Sequence, residues 1–246
     1  PPGLTMAEPR HGRRFVQCRG SGVQLGIGRA VAGRPAPEGL AEAVVCGREF
    51  IGGESVALVL GDNICYGHEL TSLLKRALGQ KSGATVFAYL VKDPQRYGVV
   101  EFDAQCKAVS IEEKPTIPKS RYAVVGLYFY DSRVVEIAAG LKPSARGELE
   151  ITDVNRVYLA RGELDVIPMG RGLAWLDTGT HESLLDASQF IETIERRQGL
   201  KIACLEEIAY RNGYISASQL EALAKPLEKS GYGEYLLRVL SEKVFE

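Results

Sequence analysis

Val56-Ala57-Leu58-Val59-Leu60 is an unbroken apolar run that stops at Gly61-Asp62-Asn63. A strand apolar on both faces must be covered on both sides, as in a parallel sheet held between helices. The neighbouring segments alternate in the same sense. Residues 40–50 place Leu40, Ala43, Val44 and Phe50 at helical positions, and 69–78 predicts the next helix. Residues 84–91 predict a strand ended by Asp93-Pro94. Residues 99–102 and 108–111 predict two short strands joined by a turn, and 122–130 a further buried strand. Residues 148–161 predict a helix with Ile151, Val154 and Tyr158 on one face, stopped by Gly162. Short strands at 165–168 and 174–176 precede an amphipathic helix at 181–198 that Thr180 can cap. Beyond residue 200 every pattern is helical. Ser216-Ala217-Ser218-Gln219 fits a capping box backed by Leu220, Leu223 and Leu227, and 232–244 predicts a last helix. The expected fold class is α/β, a mostly parallel mixed sheet flanked by helices, with a helical C-terminal appendage. The expected parts are an atypical, poorly ordered opening segment at 1–33, an α/β core at 34–199 and the appendage at 200–246.

Composition narrows the function. The 246 residues carry 30 basic and 31 acidic side chains, a net charge of −1. With no basic stripe, a nucleic-acid partner is not expected. The longest apolar run, at 123–130, is far short of the ~20 residues of a membrane span. Five scattered cysteines without a C-x-x-C pair fit a reducing cytoplasm. Three histidines without metal spacing leave carboxylates as the available metal ligands.

Asp62 follows a buried strand at the sheet edge where α/β ligands bind. It can hold Mg²⁺, although turn chemistry alone also accounts for it. Asp177, at the end of Ala174-Trp175-Leu176, repeats the pattern. Lys114, fixed by Pro115, can contact a phosphate as a point charge or remain a solvated surface lysine. Arg146 stands before Gly147-Glu148 at an expected helix start, where anions are favoured. Tyr97-Gly98 combines a stacking side chain with a close backbone approach, or simply opens a hairpin. Trp175, the sole tryptophan, is a core residue or a sugar platform. Gly20-Ser21-Gly22 and Gly26-Ile27-Gly28 lack the G-K-[ST] of a phosphate loop.

Taken together, the segments resemble a family. Leu60-Gly61-Asp62-Asn63 through Gly67 is similar to its L-G-D-N-x-x-Y-G element. Asp93-Pro94 through Tyr97-Gly98-Val99-Val100-Glu101-Phe102, Glu112-Glu113-Lys114-Pro115, the strand at 122–130, KPSARGELEITD at 142–153 and Trp175-Leu176-Asp177-Thr178-Gly179-Thr180 follow in order. These resemble the glucose-1-phosphate thymidylyltransferases, sugar-nucleotide pyrophosphorylases of the nucleotide-diphospho-sugar transferase (Rossmann-like) fold, over about residues 22–240. The resemblance implies that dTTP and glucose 1-phosphate give dTDP-glucose, a precursor of dTDP-rhamnose and other dTDP-sugars, and pyrophosphate. It implies Mg²⁺ on Asp62 and Asp177, and the sugar phosphate on Lys114 and Arg146. Tyr97, Gly98, Glu113 and Val124 would read the sugar, Tyr128 and Trp175 would line its pocket, and Gly39 would lie near the thymine. It also implies a cytoplasmic homotetramer with a dTDP-sugar as possible regulator.

The chain departs from the family pattern at one end. It has no G-G-x-G-T-R-L loop and no lysine following one. It joins the pattern near Pro35, and Arg34 stands where the family has a base-reading glutamine. Cys65 replaces a usual phenylalanine and Glu42 a usual glutamine. The expectation is a chain weak or inactive by itself. The alternatives are a UTP- or CTP-dependent transferase on the same scaffold and a non-catalytic sugar-nucleotide-binding remnant.

Overall fold

The computed structural model describes residues 3–7, 21–33 and 38–242. Arg34, the Pro35-Ala36-Pro37 element, 1–2 and 8–20 of the opening segment and the last two residues of the expected C-terminal helix lie outside them. The packing divides the chain into two units, 36–187 and 1–35 together with 188–246. The division at Ala187 falls inside a helix rather than at Gly199.

In the 36–187 unit the nine-residue strand β8 (Tyr122–Tyr130) is the spine of a six-stranded sheet. One edge of β8 pairs with β5 (Ala84–Leu90), which pairs in turn with β9 (Leu164–Pro168). The other edge is shared. β3 (Val56–Val59) pairs with Leu127 to Tyr130, and β6 (Gly98–Phe102) with Tyr122 and Ala123. β7 (Ala108–Glu113) continues the sheet beyond β6. Between β3 and β6 the sheet opens at Val124 and Gly126.

Side chains of β8 alternate, as a strand requires. Val124, Tyr128 and Tyr130 enter a cluster with α1 (Leu40–Cys46), α4 (Val134–Ala139) and α5 (Ile151–Ala160). Ala123, Val125 and Leu127 enter another with Phe87, Trp175 and α3 (Leu70–Leu78). Ile151, Val154 and Tyr158 of α5 are all core residues, as their spacing predicts. A separate antiparallel ribbon joins β4 (Asn63–Tyr66) to β10 (Ala174–Asp177), and Asp177 faces Asn63.

The α/β class and the flanking helices agree with the sequence, but the strand directions do not. Within the six-stranded sheet only β5–β9 is parallel, and β3 runs antiparallel to β8. Helices on both faces demand apolar strands whatever their direction, so the Val56–Leu60 run could not report it. The run is also less buried than its composition suggests, since Val59 is 58% exposed. The expected 40–50 helix is two short ones, α1 and α2 (Arg48–Ile51), broken at Gly47.

In the other unit, β1 (Gly3–Ala7) pairs in parallel with β2 (Arg29–Gly33), and Gly3 N–H donates to Gly28 O. Residues 1–20 offered no convincing strand in the sequence and 28–33 only a poor one, yet both ends of the opening segment contribute a strand. Its glycine-rich composition hid two five-residue strands that are specified by pairing with each other. The helical part holds the end of α6 (His181–Gln198), α7 (Leu205–Arg211), α8 (Ala217–Ala224) and α9 (Gly231–Val239). They pack around Cys204, Ala209, Ile215, Leu220, Ala224 and Leu236. The capping box forms: Ser216 Oγ accepts from Gln219 N–H, and Ser216 N–H donates to Gln219 Oε1. Leu220 is buried, but Leu227 is 42% exposed because it lies in a 3₁₀ turn past the end of α8.

Candidate active site

The opening between β3 and β6 collects most of the chemistry predicted from sequence. On its β3 side, Leu60 N–H donates to Gly126 O. Asn63 Oδ1 accepts from Gly126 N–H at 3.0 Å and from Trp175 Nε1 at 2.7 Å, while its Nδ2 donates to Asp62 Oδ1 at 2.9 Å. Asp62 is thus placed, through Asn63, from two sequence-distant strands, β8 and β10. Thr178 adds two more bonds, its N–H and its hydroxyl both donating to Asp62 O at 2.9 Å. A Cβ on Gly126 would lie 2.6 Å from Asn63 Oδ1 and 2.7 Å from Leu60 Cγ, so only glycine admits this approach. Asn63 was treated as turn punctuation in the sequence, yet it is the joint of this wall. Its hydrogen-bond partners reach 112 residues along the chain, a separation that local patterns do not encode.

Asp177 stands beside this joint through the β4–β10 pairing. Its Oδ1 accepts from Gly179 N–H, and its Oδ2 accepts from Tyr97 OH and Arg96 Nη2, both at 3.2 Å. Burial first, then the Asp177 charge, pushes the Tyr97 phenol up to about 12. Trp175 is a core residue, 8% exposed, with Tyr97 and Tyr89 edge-on at ring distances of 5.0 and 6.0 Å.

The β6 side holds the second group. Gly98 is registered against Glu113, and a Cβ on Gly98 would meet Thr152 Oγ1 at 3.0 Å, Glu113 Oε2 at 3.4 Å and Val124 Cγ2 at 3.7 Å. Four residues from four segments therefore meet at one point. Thr152, which the sequence reading did not single out, donates to Glu113 Oε2 at 2.5 Å.

Lys114 follows with φ +41, a left-handed conformation rare for a lysine, and its N–H donates to Tyr97 O. This differs from the extended backbone that Pro115 favours. The β7 end and the Tyr97 carbonyl together outweigh that preference. Lys114 is exposed, and no ion pair engages its ammonium among the described residues.

Arg146 is not at a helix start, since α5 begins at Ile151. Its Nε donates to Glu150 Oε1 at 3.1 Å and its Nη2 to Glu148 Oε2 at 2.6 Å. Burial opposes its charge, but Glu150 and Glu148, with Glu113 further off, hold it more firmly protonated than a free guanidinium. Gly39, at φ +107, packs so closely on Leu149 that a Cβ would sit 2.5 Å from its backbone, which ties the start of α1 to the Arg146 loop.

Tyr128 links the two sides. It is 5% exposed and stacked on Tyr130. Burial, followed by the Glu113 and Asp62 carboxylates, pushes its phenol far up. The charges of both acidic groups thus act on one buried, neutral phenol. A shallow cavity lined by Ser55, Gln80, Ser82 and Tyr130 lies at the start of β3 and contains none of the candidate residues.

Among the described residues no group of three or more histidine, cysteine or carboxylate side chains could hold a metal. Asp62 and Asp177 offer two carboxylates. That number suits Mg²⁺, which takes one or two together with substrate phosphates and water.

Comparison with known proteins agrees. Residues 4–194 match the family model described as nucleotidyl transferase. The match begins at residue 4, ahead of both residue 22, where the resemblance in motifs starts, and the Pro35 element. A glucose-1-phosphate thymidylyltransferase from Neisseria meningitidis serogroup A is 56% identical over 239 residues, which is 97% of this chain and 83% of the relative. One from Mycobacterium tuberculosis is 56% identical over 94% of this chain and 80% of its own. A solved structure of that description from Bacillus anthracis, in complex with sucrose, is similar at 39% identity and a TM-score of 0.69, over 76% of this chain and 74% of the other. A UDP-glucose pyrophosphorylase complexed with UDP-glucose shares the fold at 18% identity and a TM-score of 0.62. The chain belongs to the nucleotidyl transferase family and, within it, to the glucose-1-phosphate thymidylyltransferases.

Proposed function

We propose that the opening between β3 and β6 is where glucose 1-phosphate attacks dTTP. A phosphate oxygen of the sugar phosphate forms a bond to the α-phosphorus. The bond from that phosphorus to the bridging oxygen breaks, and pyrophosphate leaves with the electron pair. No residue need act as a nucleophile, so the chain's work is positioning and charge neutralisation. Asp62 and Asp177 would hold Mg²⁺, which when bound would neutralise charge across the phosphates. Lys114, whose ammonium is exposed at a strained backbone position, would meet the sugar phosphate. Arg146, oriented by Glu148 and Glu150, would flank the same phosphate. Glu113, steered by Thr152, would accept hydrogen bonds from the sugar hydroxyls. Gly98 leaves room for the ring, and Val124 and Tyr128 floor it. Trp175 supports Tyr97 from behind, and Gly39 borders the base.

The observation that carries this reading is that Gly98, Glu113 and Thr152 meet β8 at Val124 while Asn63, with Asp62 and Asp177 beside it, meets β8 at Gly126, two residues along. The test is pyrophosphate release with glucose 1-phosphate and dTTP, UTP or CTP in turn, for the wild type and for Asp62→Asn and Glu113→Gln. Preference for dTTP, and loss of turnover in both variants, is expected. Turnover with UTP or CTP alone would overturn the base assignment, and full activity in both variants would overturn the site.

We infer a homotetramer with a dTDP-sugar as regulator, and the helical unit offers apolar surface for contacts between copies. Leu205, Ile208, Tyr214 and Leu237 are exposed apolar side chains there. Light scattering with and without dTDP-glucose reads the assembly. No helix among the described residues is long and apolar enough to cross a membrane.

A further inference from the structure

Arg96 has no part in the reaction as described, yet its guanidinium bridges two carboxylates. Its Nη2 lies 3.2 Å from Asp177 Oδ2 and its Nη1 3.1 Å from Asp93 Oδ2, and its carbon sits 5.3 Å from the centre of the Tyr97 ring. It projects from the 3₁₀ turn Pro94–Arg96 just ahead of β6.

The two carboxylates differ. The Asp177 side chain is 16% exposed and the Asp93 side chain 43%. A largely buried carboxylate needs a counter-charge, whereas an exposed one is satisfied by water. Asp93 is the firmer hold on the Arg96 charge and Asp177 the weaker one, while Asp177, the more buried carboxylate, is the one that depends on a counter-charge.

We propose that Arg96 is a displaceable counter-cation. It neutralises Asp177 while the divalent site is empty and moves toward Asp93 and the Tyr97 face when a cation binds. The inference rests on the reading of Asp177 as a cation ligand. The physical reason is like-charge repulsion. A divalent ion bound to an oxygen of Asp177 at ~2.1 Å would crowd a guanidinium already hydrogen-bonded to that carboxylate. Tyr97 OH and Gly179 N–H donate to the same carboxylate without charge and can remain in place. Asp93, three residues before Arg96, lets the side chain leave Asp177 without becoming an unpaired cation. Affinity for the cation is thereby set below what the two aspartates alone would give, and binding depends on which partner Arg96 holds.

The test is direct Mn²⁺ binding to the full chain, read by electron paramagnetic resonance of the free ion, with circular dichroism as the check on folding. Arg96→Gln should tighten Mn²⁺ binding about tenfold, since the competing charge is gone. Asp93→Asn should weaken it several-fold, since Arg96 then has only Asp177. Asp177→Asn should abolish it in either background. Unchanged or weaker binding in folded Arg96→Gln would overturn the counter-cation role while leaving the metal site intact. Retained Mn²⁺ binding in Asp177→Asn would instead overturn the site itself. In thermal melts, Arg96→Gln should lose stability without Mn²⁺ and regain it with Mn²⁺, and equal destabilisation in both conditions would count against the proposal.

Discussion

Tyrosine–carboxylate hydrogen bonds occur in both units, and they do different work. In the helical unit Tyr232 OH donates to Glu206 Oε2 at 2.6 Å and lies 3.2 Å from Cys204 Sγ, while Tyr235 OH donates to Glu207. Glu207 also accepts from Arg211 Nε. These contacts join α7 to α9 and leave each member engaged within the unit. In the α/β unit Tyr97 donates to Asp177 in the same way, but there the carboxylate stands beside Asp62 and is shared with Arg96. The same pair of residue types closes a network within the helical unit and, at the proposed site, leaves a carboxylate shared between a phenol and a guanidinium. The difference lies in what surrounds the carboxylate, and it can be tested by removing matching atoms from each unit.

The largest effect is expected at Asp177. Asp177→Asn keeps the shape and removes the charge, so turnover should fall by about 10³-fold or more, with the melting temperature moved by only a few degrees. A loss under tenfold in pyrophosphate release would place Asp177 with the structural carboxylates of the helical unit. Next is Gly126→Ala, whose methyl would collide with Asn63 and Leu60. It should cost ~1–3 kcal/mol in denaturant unfolding and lower activity as well, because it disturbs the joint that places Asp62. Normal stability and turnover would show that the joint yields freely.

The matched pair is Tyr97→Phe and Tyr232→Phe. Tyr97→Phe should lower turnover about tenfold, the equivalent of one lost hydrogen bond, with little change in stability. Tyr232→Phe should do the reverse, costing ~1 kcal/mol of stability with turnover within twofold. Steady-state kinetics and urea melts on both variants decide it, and the comparison fails if the two behave alike.

The smallest effect is in alkaline pH. Burial, with Asp177 at one site and Glu207 at the other, raises both Tyr97 and Tyr235 from 10 to about 12. A raised pKa means that the folded state keeps the proton longer than the unfolded one. The stability it represents is complete below pH 10 and is lost as pH rises through 12. Melting temperatures should drop across that window, and Tyr97→Phe and Tyr235→Phe should each flatten the drop. An unchanged slope in both variants would remove these phenols as its source.

Local patterns announced the long elements well. The strand at 122–130 and the helix at 181–198 have the bounds their periodicity predicts, and the capping box at Ser216 forms as read. Where an element depends on a distant partner, the pattern was silent. β4 follows the Gly61-Asp62-Asn63 stop and owes its existence to β10. β1 and β2 owe theirs to each other. The same holds at the site. Asp62, Asp177, Glu113, Lys114 and Arg146 were visible as strand-end or loop groups. Asn63, Thr152 and Arg96 were not, because each acts through a side chain far away in sequence.

Residue order alone determined that this chain is an α/β protein with a helical end. Periodicity and buried strand runs report which faces must be covered, and several long motifs in order report the family. Strand direction, the opening of the sheet at Val124 and Gly126, and the arrival of Glu113 and of the Asp62–Asn63 pair at its two sides were decided only by the tertiary structure. Hydrophobic burial is indifferent to direction and register partner. Which strand ends at which neighbour is settled when the whole sheet is hydrogen-bonded, and the site exists only where that pairing leaves a gap.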